Sequence, residues 1–408
     1  MNFPQLSDLL NLEISKISLQ VGFEITVVMI VSLTALIFNI FLIYSKFERN
    51  SYDLKKFIFS FSLIEKIFIL YLCFFPLVFY GGYLGIESGH VNATFGLRGY
   101  LLINLFFWIH NYSKYINVTN KDFLYLIELI SYLTLVLSFV KGYHGLHYVY
   151  FWPLAISLIL INFYRKNYFL SIVLLLIITP ALNYAPLQLT TYLCIAALLL
   201  FIFFEFTLKS YKKFLYILYL TFICIPFITI TIVDFDKLFY KDYIVKTNWH
   251  QIYDMQKNVE FEGISGFTEK VKYKIFSDRL IIFKGAFEKI REVPILPPNG
   301  RSYEIYHPHW KNLDWQAGAH HTFLQSWFEL GLITGSFYII LFFVFTFYLS
   351  LLIFLSKFGE LKIFSISILC SIIFSNSLNQ VFFWDYSGTL YIIISSLLLI
   401  RLYKNKYD

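Results

Sequence analysis

Residues 332–355, LITGSFYIILFFVFTFYLSLLIFL, run for the length of a bilayer crossing without one charged side chain, and they are one of many such runs in this chain. An α-helix needs about 20 mostly apolar residues to cross the hydrocarbon core. On that rule spans are expected near 21–44, 57–80, 99–116, 123–140, 146–164, 168–185, 187–206, 214–233, 332–355, 363–379 and 383–401. The fold class is therefore read as an all-α polytopic membrane protein with about 11–12 transmembrane helices, the uncertainty resting on whether residues 3–20 dip into the membrane. Composition agrees: 58% of residues are hydrophobic and 14% charged, against about 45–50% and about 25% in soluble domains.

Orientation follows from the cations. Lys46, Arg49, Lys55 and Lys56, then Lys114 and Lys121, Arg165 and Lys166, Lys209, Lys212 and Lys213, Lys357 and Lys362, and Arg401, Lys404 and Lys406 fall in every second connection and in the tail. The positive-inside rule makes that side cytoplasmic. It also gives the net charge of +7 a topological meaning that needs no nucleic-acid partner. Cys73, Cys194, Cys224 and Cys370 all lie in apolar runs, which points to packing and away from a disulfide framework or a thiolate metal site. Residues 1–20 lack the basic start and compact apolar core of a cleavable signal peptide, so none is expected.

The same alternation puts one large loop, 234–322, on the outer face, between an N-terminal bundle (1–233, about eight spans) and a C-terminal group (323–408, about three). Eight of the nine histidines fall on or near that face. A loop of this length is far beyond ordinary connections and, being rich in aromatic and aliphatic residues, reads as a folded functional element. Within it, SDRLIIFKGAFEKI carries a Ser277 or Asp278 cap and apolar residues at helical spacing, and the helix is stopped by Pro294. Arg279 sits in the first turn of that helix. A second helix is expected to start near His320, with His320, Phe323, Leu324, Trp327 and Gly331 on one face and His321 and Gln325 on a neighbouring one.

These residues resemble the O-antigen ligase and O-antigen polymerase superfamily of bacterial envelope glycosyltransferases. The family places an Ala-His-Asn-x-x-Leu-Gln-like motif at the loop exit, followed by Glu-Leu-Gly and a further small residue. Here the stretch is AHHTFLQSWFELGLITG, with His320 at the family histidine, His321 in place of the Asn, and Glu329, Leu330, Gly331 and Gly335 completing the pattern. The ligase branch is also marked by a His, ten residues and a Gly, which His320 and Gly331 satisfy. Arg279 opens a helix upstream as the family Arg does, with Phe283 where Leu is common; the Gly-Pro-Gly turn common between the two helices is poorly matched by PILPPNGRSYEIYHPHW.

The resemblance implies transfer of a glycan from an undecaprenyl-diphosphate-linked donor to lipid A-core or a similar glycan acceptor at the outer face of a bacterial inner membrane, with no cofactor. A sugar hydroxyl needs a base near neutral pH, which imidazole provides, and a leaving diphosphate is held well by guanidinium. His320 is thus the expected base and Arg279 the phosphate-holding catalytic residue. Arg98, Arg291, Arg301, His321 and Gln325 are candidate donor or glycan contacts. His307 and His309 with His320 and His321 offer imidazoles for a metal, but neither Cys nor a paired acid supports the site, and none is expected. A repeat-unit polymerase would use the same donor. A glycolipid flippase or transporter is the reading from a different class; it predicts internal repeats, and no convincing one is visible.

Overall fold

A computed structural model describes residues 27–50, 62–87, 148–179, 189–208, 211–231 and 321–378, with individual helical positions between 104 and 132. Among the described residues there are helices and connecting turns and no strand. In chain order the helices are α1 (Val27–Asn50), α2 (Leu63–Glu87), α3 (Tyr148–Tyr164), α4 (Tyr168–Ile178), α5 (Leu189–Thr207), α6 (Lys212–Ile223), α7 (Ile225–Thr231), α8 (Thr322–Leu355) and α9 (Glu360–Leu378). Among the described residues two segments, Leu330–Leu355 and Glu360–Ser377, are long and apolar enough to cross a membrane. The run expected at 168–185 is helical through Ile178, and the one expected at 214–233 divides at Cys224 into α6 and α7. Pro226, lacking an amide hydrogen, falls in the first turn of α7, where a helix tolerates it.

Local signals set several boundaries. Ser62 and Glu65 form a capping box: the Ser62 hydroxyl accepts from the Glu65 amide at 3.3 Å, and the Glu65 carboxylate accepts from the Ser62 amide at 2.8 Å. This starts α2 at residue 63, inside the run expected from 57. Between α3 and α4 the Lys166 amide donates to Phe163 O and the Asn167 amide to Asn162 O, both at 2.9 Å, with Lys166 at φ 63°. That is a Schellman turn built on a non-glycine residue, and Asn167 then caps α4.

Two apolar cores share α8 as a common wall. The larger unites α3 to α6 and α9 with Phe342, Leu349 and Ile353 of α8; the smaller unites Leu36 of α1, Phe68, Tyr71 and Val78 of α2 and Phe107 with Leu330, Phe337, Tyr338 and Leu341 of α8. At the centre of the larger core is α9, whose Ser365, Ser371 and Ser377 hydroxyls donate to carbonyls four residues back. Self-satisfied serines let neighbouring backbones approach closely, as small residues do between membrane helices. Buried polar pairs join other helices: Asn39 of α1 donates to the Asn104 side chain at 2.9 Å and accepts from Asn111 at 3.2 Å.

The charged groups gather at one end of the bundle. Arg165, after α3, pairs with Glu128 and with Glu360 at the start of α9. Lys362 pairs with Glu205 of α5 at 2.8 Å, both buried, and Tyr219 of α6 donates to the same carboxylate at 3.1 Å. Lys362 also donates to Ser356 O at the end of α8. Glu205, an acid inside an apolar run, is thereby accounted for by helix pairing. At the end of α1, Lys46 pairs with Glu65 of α2. All four cysteines are free, with Cys194 and Cys370 buried.

Candidate functional site

The opposite end of the bundle holds the second of the two adjacent histidines. His321 is the N-cap of α8, as the sequence leads one to expect of a helix starting near His320. Its backbone is extended, and its Nδ1 accepts the Phe323 amide hydrogen at 3.2 Å. An amide can only donate, so Nδ1 carries no proton. The other nitrogen, Nε2, lies 3.0 Å from the Pro226 carbonyl, which can only accept, so Nε2 carries the hydrogen. Thr229 Oγ1 stands 3.2 Å from the same Nε2 and donates to the same carbonyl at 2.9 Å. The ring is thus neutral in one tautomer, with Nδ1 committed to capping α8 and Nε2 to holding α8 against α7.

Burial enforces that state. The His321 side chain is wholly buried, and desolvation pushes its pKa down to about 3, only partly countered by the bond to Pro226 O. Phe323 meets the imidazole edge-on at 5.4 Å and Phe227 at 4.8 Å, so the cap is enclosed by rings. A group so placed does not accept a proton near neutral pH without losing its cap bond.

The next turns extend the attachment. Thr322 donates to Asn376 Oδ1 near the end of α9 at 2.5 Å, and the Asn376 amide group donates to Ile372 O at 2.6 Å. Ser326 donates to Thr322 O at 2.6 Å. Gln325, buried on the same face as His321, donates its backbone amide to His321 O at 2.9 Å. The start of α8 is therefore tied to α7 on one side and α9 on the other.

The helix then folds back on itself. Gly331 was expected on the helical face of His320, Phe323 and Trp327; instead it is non-helical, at φ 77° and ψ 168°, and splits α8 into segments 322–330 and 332–355. That backbone region is open essentially to glycine alone. The two segments close so tightly that a Cβ on Gly335 would lie 2.5 Å from Ser326 O and 2.8 Å from Trp327 Cα. Trp327 Nε1 donates to Ser336 Oγ at 2.8 Å across the same contact. Each glycine has its own reason: Gly331 makes the turn and Gly335 admits the returning backbone. The sequence pattern singled out both positions, but no periodicity argument could have supplied these reasons.

Of the remaining sequence-derived site residues, His320, Arg279, Arg98, Arg291 and Arg301 lie outside the described residues, as do His307 and His309. Among the described residues, no three His, Cys, Asp or Glu side chains come together to hold a metal ion. A further polar feature, which sequence reasoning did not identify, is Thr334, whose buried Oγ1 lacks a hydrogen-bond partner one turn beyond the Gly331 break. Comparison with protein families, with curated proteins and with solved structures finds no match to this chain.

Proposed function

We propose that the chain is a multi-pass membrane glycosyltransferase of the bacterial inner membrane, acting as an O-antigen ligase: it moves a glycan from undecaprenyl diphosphate to lipid A-core or a similar surface acceptor on the periplasmic face. The observation that carries this reading is the folded-back start of α8. The stretch that resembles the family motif is a built structure at the mouth of a membrane-length helix, with His321, Gly331 and Gly335 each fixed there for a stated physical reason. A lipid-anchored donor requires its reacting groups at such a mouth.

Supporting the membrane setting, large apolar side chains face outward on several helices: Ile37 and Phe41 on α1, Phe169 and Leu176 on α4, Phe203 on α5 and Ile217 on α6. Apolar surface this extensive suits lipid, not water. In the reaction His320 takes the proton from the acceptor hydroxyl as its oxygen attacks the anomeric carbon. The bond to the diphosphate oxygen breaks, and Arg279 holds the departing undecaprenyl diphosphate. His321, with both nitrogens committed, leaves the base role to its neighbour.

The test is complementation of a deletion strain with wild type, His320→Ala and Arg279→Ala at matched membrane levels, reading surface glycan on size-resolved gels alongside the lipid-linked donor. Accumulation of full-length donor chains unattached to acceptor in the His320→Ala strain supports the ligase. Accumulation of single repeats assigns the chain to the polymerase. Normal surface glycan in that strain refutes the base assignment and favours a transporter.

A further inference from the structure

The charged end of the bundle has a feature that its ion pairs bring out. Its described carboxylates are occupied: Arg165 bridges Glu128 and Glu360, and buried Lys362 neutralises Glu205. Ring contacts draw the surrounding helix ends together, with Phe358 tilted against Phe206 at 4.5 Å and edge-on to Tyr164 at 6.0 Å, and Phe204 against Phe214 at 6.2 Å. Lys357 precedes Phe358, Lys166 follows Tyr164 by two residues, and Lys212 and Lys213 directly precede Phe214. These four lysines are therefore carried onto one rim. All four are exposed, and among the described residues none has a carboxylate within ion-pair range.

The rim is also aromatic. Tyr164, Tyr168 and Tyr211 are exposed beside the lysines, and the outward apolar faces of α4, α5 and α6 continue from them along the bundle. Exposed lysines and tyrosines at the helix ends, adjoining exposed aliphatic and Phe faces, are the residue types that suit the headgroup, interfacial and acyl regions of one leaflet. Because the acids nearby are already paired, the lysine charge is left for phosphate.

We propose that this rim, formed by Lys166, Lys212, Lys213 and Lys357, is a binding surface for anionic phospholipid headgroups. The proposal rests on the membrane reading above, and it is independent of the transfer chemistry. Each lysine near an anionic surface contributes about fivefold in affinity, so the four together give at least about a tenfold preference after shared screening.

The experiment uses the purified full chain in detergent, titrated with phosphatidylglycerol or phosphatidylcholine, with bound lipid read by native mass spectrometry and stability by melting temperature. Wild type is expected to retain phosphatidylglycerol at least about tenfold more tightly, an advantage that shrinks in high salt. Replacing the four lysines by Gln removes that preference while leaving phosphatidylcholine retention unchanged, and replacing them by Arg keeps it. The paired change Lys212→Gln with Lys213→Gln gives a partial loss should the fourfold variant be poorly produced. Equal retention of the two lipids by wild type, or an undiminished preference in the Gln variants, overturns the proposal. Alkaline extraction of membranes separates this failure from that of the broader reading: a chain released by extraction refutes membrane integration, whereas an integrated chain indifferent to phosphatidylglycerol refutes only the lipid surface.

Discussion

Removing the Lys362 charge is the perturbation whose size the structure constrains best. Lys362 and Glu205 stand 2.8 Å apart, with side chains 4% and 7% exposed. At an effective dielectric near 20 their attraction is about 6 kcal/mol, and desolvation of two ions offsets most of it. The net value of the pair is therefore small, while Lys362→Met leaves a buried carboxylate held by Tyr219 alone and also strips Ser356 O of a donor. Breaking such a pair costs about 3–5 kcal/mol. Glu205→Gln together with Lys362→Met keeps an acceptor for the Tyr219 hydroxyl and removes both charges, so its cost is expected to fall to about 1 kcal/mol. The assay is a double-mutant cycle on melting temperature in one detergent. The double variant should melt well above Lys362→Met. Were it to melt at or below the single variant, the carboxylate is not what destabilises, and the pairing argument is wrong.

Gly335→Ala should cost about 1–3 kcal/mol by driving a methyl into the Ser326 carbonyl, and Gly331→Ala a similar amount from backbone strain; both are read as lower melting temperature, and unchanged values would mean that the fold-back is absent. Lys166→Gly relieves the left-handed residue of the α3–α4 turn and should raise stability by about 1 kcal/mol, measured by the same melting assay. For His321 the folded pKa, about 3, lies below the unfolded value, so its contribution is present in full above about pH 6.5 and is lost as pH falls toward 3. Stability should therefore decline on acidification from neutrality, by up to about 1.4 kcal/mol per pH unit from this group, read as a falling melting temperature. His321→Asn, which keeps an oxygen to cap Phe323, should show a shallower decline.

The apolar runs and the onset of α8 near residue 320 were legible because span length and a change from polar to apolar sequence are local signals. The break at Gly331 was not: a glycine inside a helical pattern is compatible with both a continued helix and a turn, and only the packing of Ser326 on Gly335 decides. Glu205 stood out as an acid in an apolar run, but its partner Lys362 is 157 positions away in sequence, beyond any local pattern. The span expected near 57–80 did not locate the start of α2 at residue 63, because hydropathy sees greasiness and not the Ser62–Glu65 capping box. Of the histidine pair, His320 was read as the base and His321 as a contact residue. What fixes His321 is the Pro226 carbonyl, 95 positions away, which sequence spacing could not bring to it.

The burial of α9 bears on how such a chain is made. Its membrane-length stretch is only moderately apolar, with a mean hydropathy of 1.3 against 2.6 for the stretch in α8, and 89% of it is covered by other helices. A helix of that composition gains little from lipid and most from neighbours. It is also the last of the described helices to leave the ribosome. The groove between α3 and α5 must therefore wait, unfilled, until residue 378 has been synthesised. Chains cut short before α9 would keep their earlier helices yet present an open seam to quality-control proteases, so truncation there should be read out in protein lifetime before it is read out in activity.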